Sequence, residues 1–389
     1  MKLPTSALTC RLAAFACLLV IIGLDPAQAS DRPQVTFAGM AYTARAADVE
    51  RLLPVSSTVV EAEGKHQLSR SLAAALQRRP PKHFDLQFAT LASLDGRSDA
   101  IVFAAAVDRE SWTVERIAGK YKLLFEIAAE ALFFDFRERQ ILFAYPITLQ
   151  YIEVLDRPPG PSDLQAAAHR LLFGTASSSL QTVLPAEIHT LALPGSSSRR
   201  LQVVSVDLSE QAAAKIPEHQ RDPALIGHEF TKILASTWRL PMLPHARGQA
   251  IGGAMAARFD DGRIFNLSIP EPDYRIVLGV DDFRQKTLSE TPAVRQQLYG
   301  AFFSVLVEEP LSGKAYFSQA LRQGGTKIIP ASQDMVDSAA AYYETLLAGL
   351  SSFAQAANGE AKTWADEQPG GREFRQQMKT FKELIQLCR

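Results

Sequence analysis

The chain has 389 residues, of which 47% are hydrophobic, 8% aromatic and 21% charged, with 41 Lys and Arg against 42 Asp and Glu. These proportions exclude a disordered, collagen-like or polytopic membrane protein, and at ~100–200 residues per domain they allow two or three domains with cores of their own. A formal charge of −1 gives no field to hold nucleic acid, whose sequence-independent affinity depends on a basic excess.

Residues 1–29 read as a secretory leader. Lys2 and Arg11 form a positive front, 12–24 (LAAFACLLVIIGL) is an unbroken apolar run, and Ala27-Gln28-Ala29 supplies the small residues a signal peptidase recognises. The run is shorter than the ~20 residues that cross a bilayer, so the expected product is cleaved, exported and soluble in the periplasm. Cys10 and Cys17 belong to the leader. Only Cys388 then remains, which excludes an internal disulfide and fits a bacterial periplasm.

A first α+β domain is expected over 30–175. It opens with a strand at 35–43, followed by an amphipathic helix at 65–79 carrying Leu68, Leu72, Ala75 and Leu76 on one face and stopped by Pro80-Pro81. Strands are expected at 84–91 and 100–107 around the Asp95-Gly96 turn. The segment 121–130 fits helix or strand. Residues 131–136 and 141–147 flank a polar turn as a hairpin. Pro161, with Ser162 and Gln165 as a capping box, starts a helix that meets Gly174. Two serine-rich stretches mark 176–200 as a linker.

The second α+β domain, 201–330, begins the same order again. Residues 201–208 read as a strand, and Asp222 with Pro223 starts a helix through 238. Strands are expected at 252–259, 264–269 and 274–280, with a turn at Asp261-Gly262. AIVFAAAVD at 100–108 matches RIVLGVD at 275–281, and the hairpin at 131–143 matches 305–317 with an offset of 174. Two segments keeping nearly one offset are the mark of a tandem duplication.

The region 331–389 is expected to be helical. Ser332 caps a helix to 357, and a Gly/Pro bridge leads to a last helix. There Phe374, Met378, Phe381, Ile385 and Cys388 recur in steps of four and three residues, with Arg372, Arg375, Lys379 and Lys382 on the other faces. This seam suits packing on its own domain, docking on a partner helix, or lying on a membrane surface. Phe374, Met378, Phe381 and Ile385 are therefore the candidate partner contacts.

Catalytic patterns are weak. There is no G-x-S-x-G elbow, and the residue four after His228 is Lys232, so the two-histidine zinc motif is absent. His219, His228 and His245 are close enough in sequence to meet. The paired acids Asp260-Asp261, Asp281-Asp282 and Glu308-Glu309 point to opposite faces if they lie in strands. Ser312-Gly313-Lys314 lacks the rest of a phosphate loop, and the glycine-rich stretch 248–253 precedes a strand instead of opening a helix. No cofactor is implied.

The expected architecture is α+β: two similar tandem strand-helix-strand domains with antiparallel hairpins, followed by a helical C-terminal tail. The expected function is that of an exported, periplasmic, non-catalytic binding or assembly protein of the bacterial cell envelope, partnered by envelope proteins. The alternatives are an exported hydrolase of an envelope polymer, using Asp281 or the histidines, and a periplasmic carrier of a small molecule or lipid in the cleft between domains.

Overall fold

The segment 101–107 is wholly apolar, and the two faces of the strand it forms meet different partners. In the computed structural model, residues 32–388 are described except for 44–45, 90, 95–99, 196–197, 217–220, 246–253, 260–261 and 334–335. The leader, the Asp95-Gly96 turn, His219, the stretch 248–253 and Asp260-Asp261 thus lie outside the described residues.

The first half runs β1 (Gln34–Tyr42), α1 (Ala46–Leu52), α2 (Pro54–Glu63), α3 (Lys65–Arg78), β2 (Asp85–Phe88), β3 (Ile101–Ile117), β4 (Lys120–Asp135), β5 (Gln140–Leu155), α4 (Pro161–Phe173) and α5 (Leu180–Thr190). The second runs β6 (Leu201–Leu208), α6 (Glu210–Ala213), α7 (Pro223–Trp238), β7 (Ala254–Phe259), β8 (Ile264–Ser268), β9 (Tyr274–Glu290), β10 (Val294–Glu309), β11 (Lys314–Pro330), α8 (Ser338–Ala357), α9 (Lys362–Asp366) and α10 (Arg372–Leu387). Among the described residues the first sheet has the order β2-β1-β3-β4-β5-β8-β7, and the second β11-β10-β9-β6. The fold is α+β, built from two similar units with a helical C-terminal stretch.

Each half places its first strand parallel to the first arm of an antiparallel three-stranded meander: β1 beside β3, and β6 beside β9. The irregularities repeat as well. The β3–β4 ladder skips Asp108, and the β9–β10 ladder skips Asp281. A second bulge lies at Leu142 in β5, opposite Phe133 and Phe134, and at Tyr316 in β11, opposite Val307 and Glu308. The turns before them hold Arg139 and Gly313 at φ of 50° and 68°. A bulge adds one residue and re-aims the strand, so bulges in matching places give both meanders the same curvature.

In the first sheet, Val102, Ala104 and Ala106 face one core with Leu132, Phe134, Phe259 and Leu267. There β7 returns to β1 through Ala41↔Phe259 and Tyr42↔Arg258, curling that end of the sheet toward closure. Small side chains suit the narrow interior this produces. The opposite face carries Phe103, Phe133 and Phe143, stacked at 4.9 and 4.5 Å, against α2 to α5. The second sheet packs one face on α7, α8 and α10, where Phe303, Phe317, Phe353, Phe381 and Trp238 are buried. Helix α7 lies between the sheets, touching β6 and α8 on one side and β5 on the other.

Several sequence expectations change. Within 176–200, α5 is a helix whose Leu180, Leu184 and Ile188 are buried at four-residue spacing; Pro185 and the flanking serines hide that period. Helix α4 starts with the Asp163 carboxylate accepting from the Gly160 N–H at 2.7 Å, in place of the Ser162/Gln165 box. Asp337, and not Ser332, caps α8 by accepting from Ala340 N at 3.0 Å. Phe374, Met378, Phe381 and Ile385 are buried inside the second half. As the helix sits, this seam offers no surface to a partner or a membrane, because Phe317, Phe353 and Trp238 cover it. Phe381→Ala is expected to cost about 3–5 kcal/mol, as a large aromatic removed from a close-packed core does, measured by urea denaturation; a loss under about 1 kcal/mol would contradict this placement.

Candidate functional site

The α7 sequence PALIGHEFTKILASTW is apolar on two sides but carries His228, Glu229 and Lys232 along a third. Ile226, Phe230, Leu234 and Trp238 turn to the second sheet. The polar stripe turns to the free face of the first meander, where it meets residues the bulge at Asp108 has re-aimed.

Glu130, a single acid in the apolar run of β4, and His228 are 3% exposed each, with Oε1 and Nδ1 3.5 Å apart. The Thr148 hydroxyl donates to Glu229 at 2.7 Å, and Lys232 lies 3.5 Å from the same carboxylate. Arg109, buried on β3, reaches Asp222 at 2.7 Å, and Asp222 in turn caps α7 by accepting from Ala224 N. The His245 Nδ1–H donates to the Val203 carbonyl at 2.7 Å. Its ring lies against Gly227, where a Cβ would sit 2.5 Å from it. Arg109 Nε, Glu130 Oε2 and His228 Nε2 are buried without a hydrogen-bond partner among the described residues.

Burial pushes the Glu130 carboxyl up, and hydrogen bonding to His228 only partly offsets it. Burial acts against charge on His228, but Glu130, Asp108 and Glu229 outweigh it and push the imidazole up. Both groups are thus pushed toward their protonated forms. Burial and the neighbouring His228 push His245 down, leaving it neutral.

Beside this cluster the two halves enclose a cavity of about 450 Å³. The β3–β4 hairpin supplies Trp112, Thr113, Lys122 and Leu124, the start of α2 supplies Pro54, and the second half supplies Leu225 and Tyr343. Trp112 is 41% exposed and stacks on Phe125 at 6.1 Å. Glu110, also in the wall, accepts the Val55 and Ser56 N–H groups at 2.5 and 2.7 Å and so caps α2. Burial pushes up Glu110, Glu126 and Tyr343. Another cavity, about 670 Å³, lies beside the start of β3, with Phe143, Leu193, Arg199, Met242 and Cys388 in its wall. Burial raises the Cys388 thiol to about 12, so it remains protonated.

His228 and His245 do come together, while His219 lies outside the described residues. Among the described residues no three His, Cys, Asp or Glu side chains are grouped to hold a metal ion. Asp281 sits at its bulge in β9, with Ser209 donating to its carbonyl. Asp282 pairs with Lys215 and Arg284, and the Ser312 hydroxyl donates to Glu309. Asp281, Asp282 and Glu309 thus serve local contacts. Sequence reading missed Glu130, Arg109 and Trp112; the one signal was an acid inside IAAEALFF. No protein-family model matches the chain, and no curated protein matches it either.

The raised Glu130–His228 pair means that these two groups bind protons more tightly in the folded chain than in the unfolded one. The contribution of His228 is complete below its ordinary value of 6.5 and is lost as pH rises through the folded value. Stability is expected to fall as pH rises above about 6.5, by at most about 1.4 kcal/mol per unit. Glu130→Gln removes the partner, lets burial push His228 down, and flattens the profile in that range. Urea denaturation of both proteins at three pH values measures the difference; identical slopes would refute the upward push that Glu130 exerts on His228.

Proposed function

We propose that the chain is an exported, non-catalytic binding or assembly protein of the bacterial cell envelope, acting through the cleft between its halves. The carrying observation is the cavity beside Trp112, whose walls come from both halves and combine aromatic, aliphatic and charged groups. Clefts of ~300–1,000 Å³ with a few placed polar groups are where proteins take ligands. The leader and the near-neutral charge support the export part of the reading. No described helix is long and apolar enough to cross a membrane.

The hydrolase alternative gains little from these positions. Glu130 and His228 line neither cavity, and an acid or base must reach within hydrogen-bond distance of the proton it moves. The carrier alternative has one observation in its favour, the 670 Å³ cavity with Leu142, Phe143, Leu193 and Met242 in its wall. Native mass spectrometry would then find a small molecule retained by the purified protein.

A photo-crosslinking amino acid at Trp112, introduced in cells, is expected to capture an envelope polypeptide. The same group at exposed Gln77 on α3 is the control and is expected to capture none. Equal adducts at both positions, or full-length chain with its leader in the cytosol, would overturn the reading.

A further inference from the structure

The cavity beside Trp112 follows the edge of a strand. Strand β1 pairs with β3 only as far as Tyr42↔Val107, and Thr43 N makes the last bond, to the Val107 carbonyl at 3.3 Å. Beyond that point β3 has β4 on one side and, among the described residues, no strand on the other.

The hairpin turn fixes which backbone groups face outward. Ala118 and Gly119 have φ of 51° and 77°, a two-residue turn of the type whose twist matches a hairpin. Ile117 and Lys120 are therefore the first bonded pair, and bonded pairs alternate along an antiparallel ladder. The N–H and C=O groups of Glu110, Trp112 and Val114 consequently point away from β4. None of them has a hydrogen-bond partner among the described residues.

The second half treats its edges differently. Past the last pairing of β6, the carbonyls of Asp281 and Phe283 on β9 accept from Ser209 and Lys215. On β11, the N–H groups of Ser318 and Arg322 donate to the side-chain carbonyls of Gln377 and Gln368, both at 2.9 Å. Covering an edge in this way blocks the addition of another strand. Among the described residues the outward backbone groups of the β3 edge have no such cover, and the edge borders a cavity with Pro54 and Trp112 on one side and Leu225 and Tyr343 on the other.

We propose that the β3 edge from Glu110 to Val114 takes an extended polypeptide segment as an added strand, in the cavity between the two halves. Main-chain bonds to an edge supply affinity, and pockets for alternate side chains supply specificity. A segment of about seven residues, ~23 Å at ~3.3 Å per residue, would turn one set of alternate side chains, the apolar one, to one wall of the cavity and the intervening set to the other. The proposal rests on the binding-protein reading and adds the partner's class, an extended peptide segment with apolar residues at every second position.

The test selects phage-displayed random heptapeptides on the full-length mature chain. Enriched peptides are expected to carry apolar residues with a period of two. Val114→Pro removes one outward N–H at a position where an edge strand tolerates proline, and it should weaken those peptides by about tenfold or more. Should Val114→Pro fail to fold by circular dichroism, a selected peptide is remade twice, N-methylated at odd or at even positions. Strand addition predicts that one version loses binding and the other keeps it. No enrichment, equal binding to Val114→Pro, or equal behaviour of the two methylated peptides overturns the proposal. Insensitive peptides would sink strand addition while leaving the binding reading intact; loss of that reading is instead registered by crosslinking at Trp112.

Discussion

Helix α7 has to satisfy two sheets at once. Its side toward β6, β9 and β10 is made of Ile226, Phe230, Leu234 and Trp238 and behaves as an ordinary core face. Its side toward the first meander carries His228 and Glu229 against Glu130 and Thr148. Replacing a buried ion pair with well-packed apolar groups is often neutral or stabilising, whereas removing one partner leaves a costly buried charge. Neither Glu130 nor His228 is therefore free to change alone. The contact fixes which turn of α7 faces β4, and the remaining contacts between halves follow from that register.

The two halves repeat topology, bulges and turn geometry, yet the same face of each meander has a different fate. In the first half it receives the α7 and α8 layer. In the second, Gly300 and Gly324 lie opposite each other on the outer face, Phe302 leans over Gly300, and the Arg284 guanidinium sits 4.6 Å above that ring. Side chains that lie flat over glycine and are topped by a cation suit a solvated surface. Equivalent positions thus became an interface in one half and a finished exterior in the other. Position 130 holds a buried acid where its counterpart at 304 is a serine that donates to Asp281.

Much of this architecture was legible in the sequence because burial leaves a period. Strand β6 and helix α7 occupy the spans that alternation, Asp222 and Pro223 indicate. The parallel between 131–143 and 305–317 located two hairpins with matching bulges. Legibility ended where burial did. The far ends of β3, β9 and β11 are half-exposed or exposed on most positions, so residues such as 284–290 and 322–328 show no apolar alternation. Helix α2 is rich in β-branched residues that favour strands, and it is helical because Val55, Val59 and Val60 are buried against the first sheet. The cleft was the least legible feature, because its walls come from segments far apart in the chain. No local pattern links Trp112 to Tyr343.

Opposite ends of the cleft are held by different means, and this sets how it can work. At the inner end Arg109 ties β3 to the N-cap of α7 through Asp222. At the outer end the Ala118 N–H at the hairpin tip donates to the Ser332 carbonyl, 3.1 Å away in the segment after β11. Farther along the first sheet, Ala144 bridges to Met242, and β7 and β8 carry second-half chain into the first-half sheet. A trough anchored at both ends and crossed by shared strands does not need to close around a ligand. Its width is set before binding, which lowers the ordering cost that weakens flexible sites. Selection then falls on the ligand: it must already be extended, and its alternate side chains must fit walls whose separation is fixed by α7.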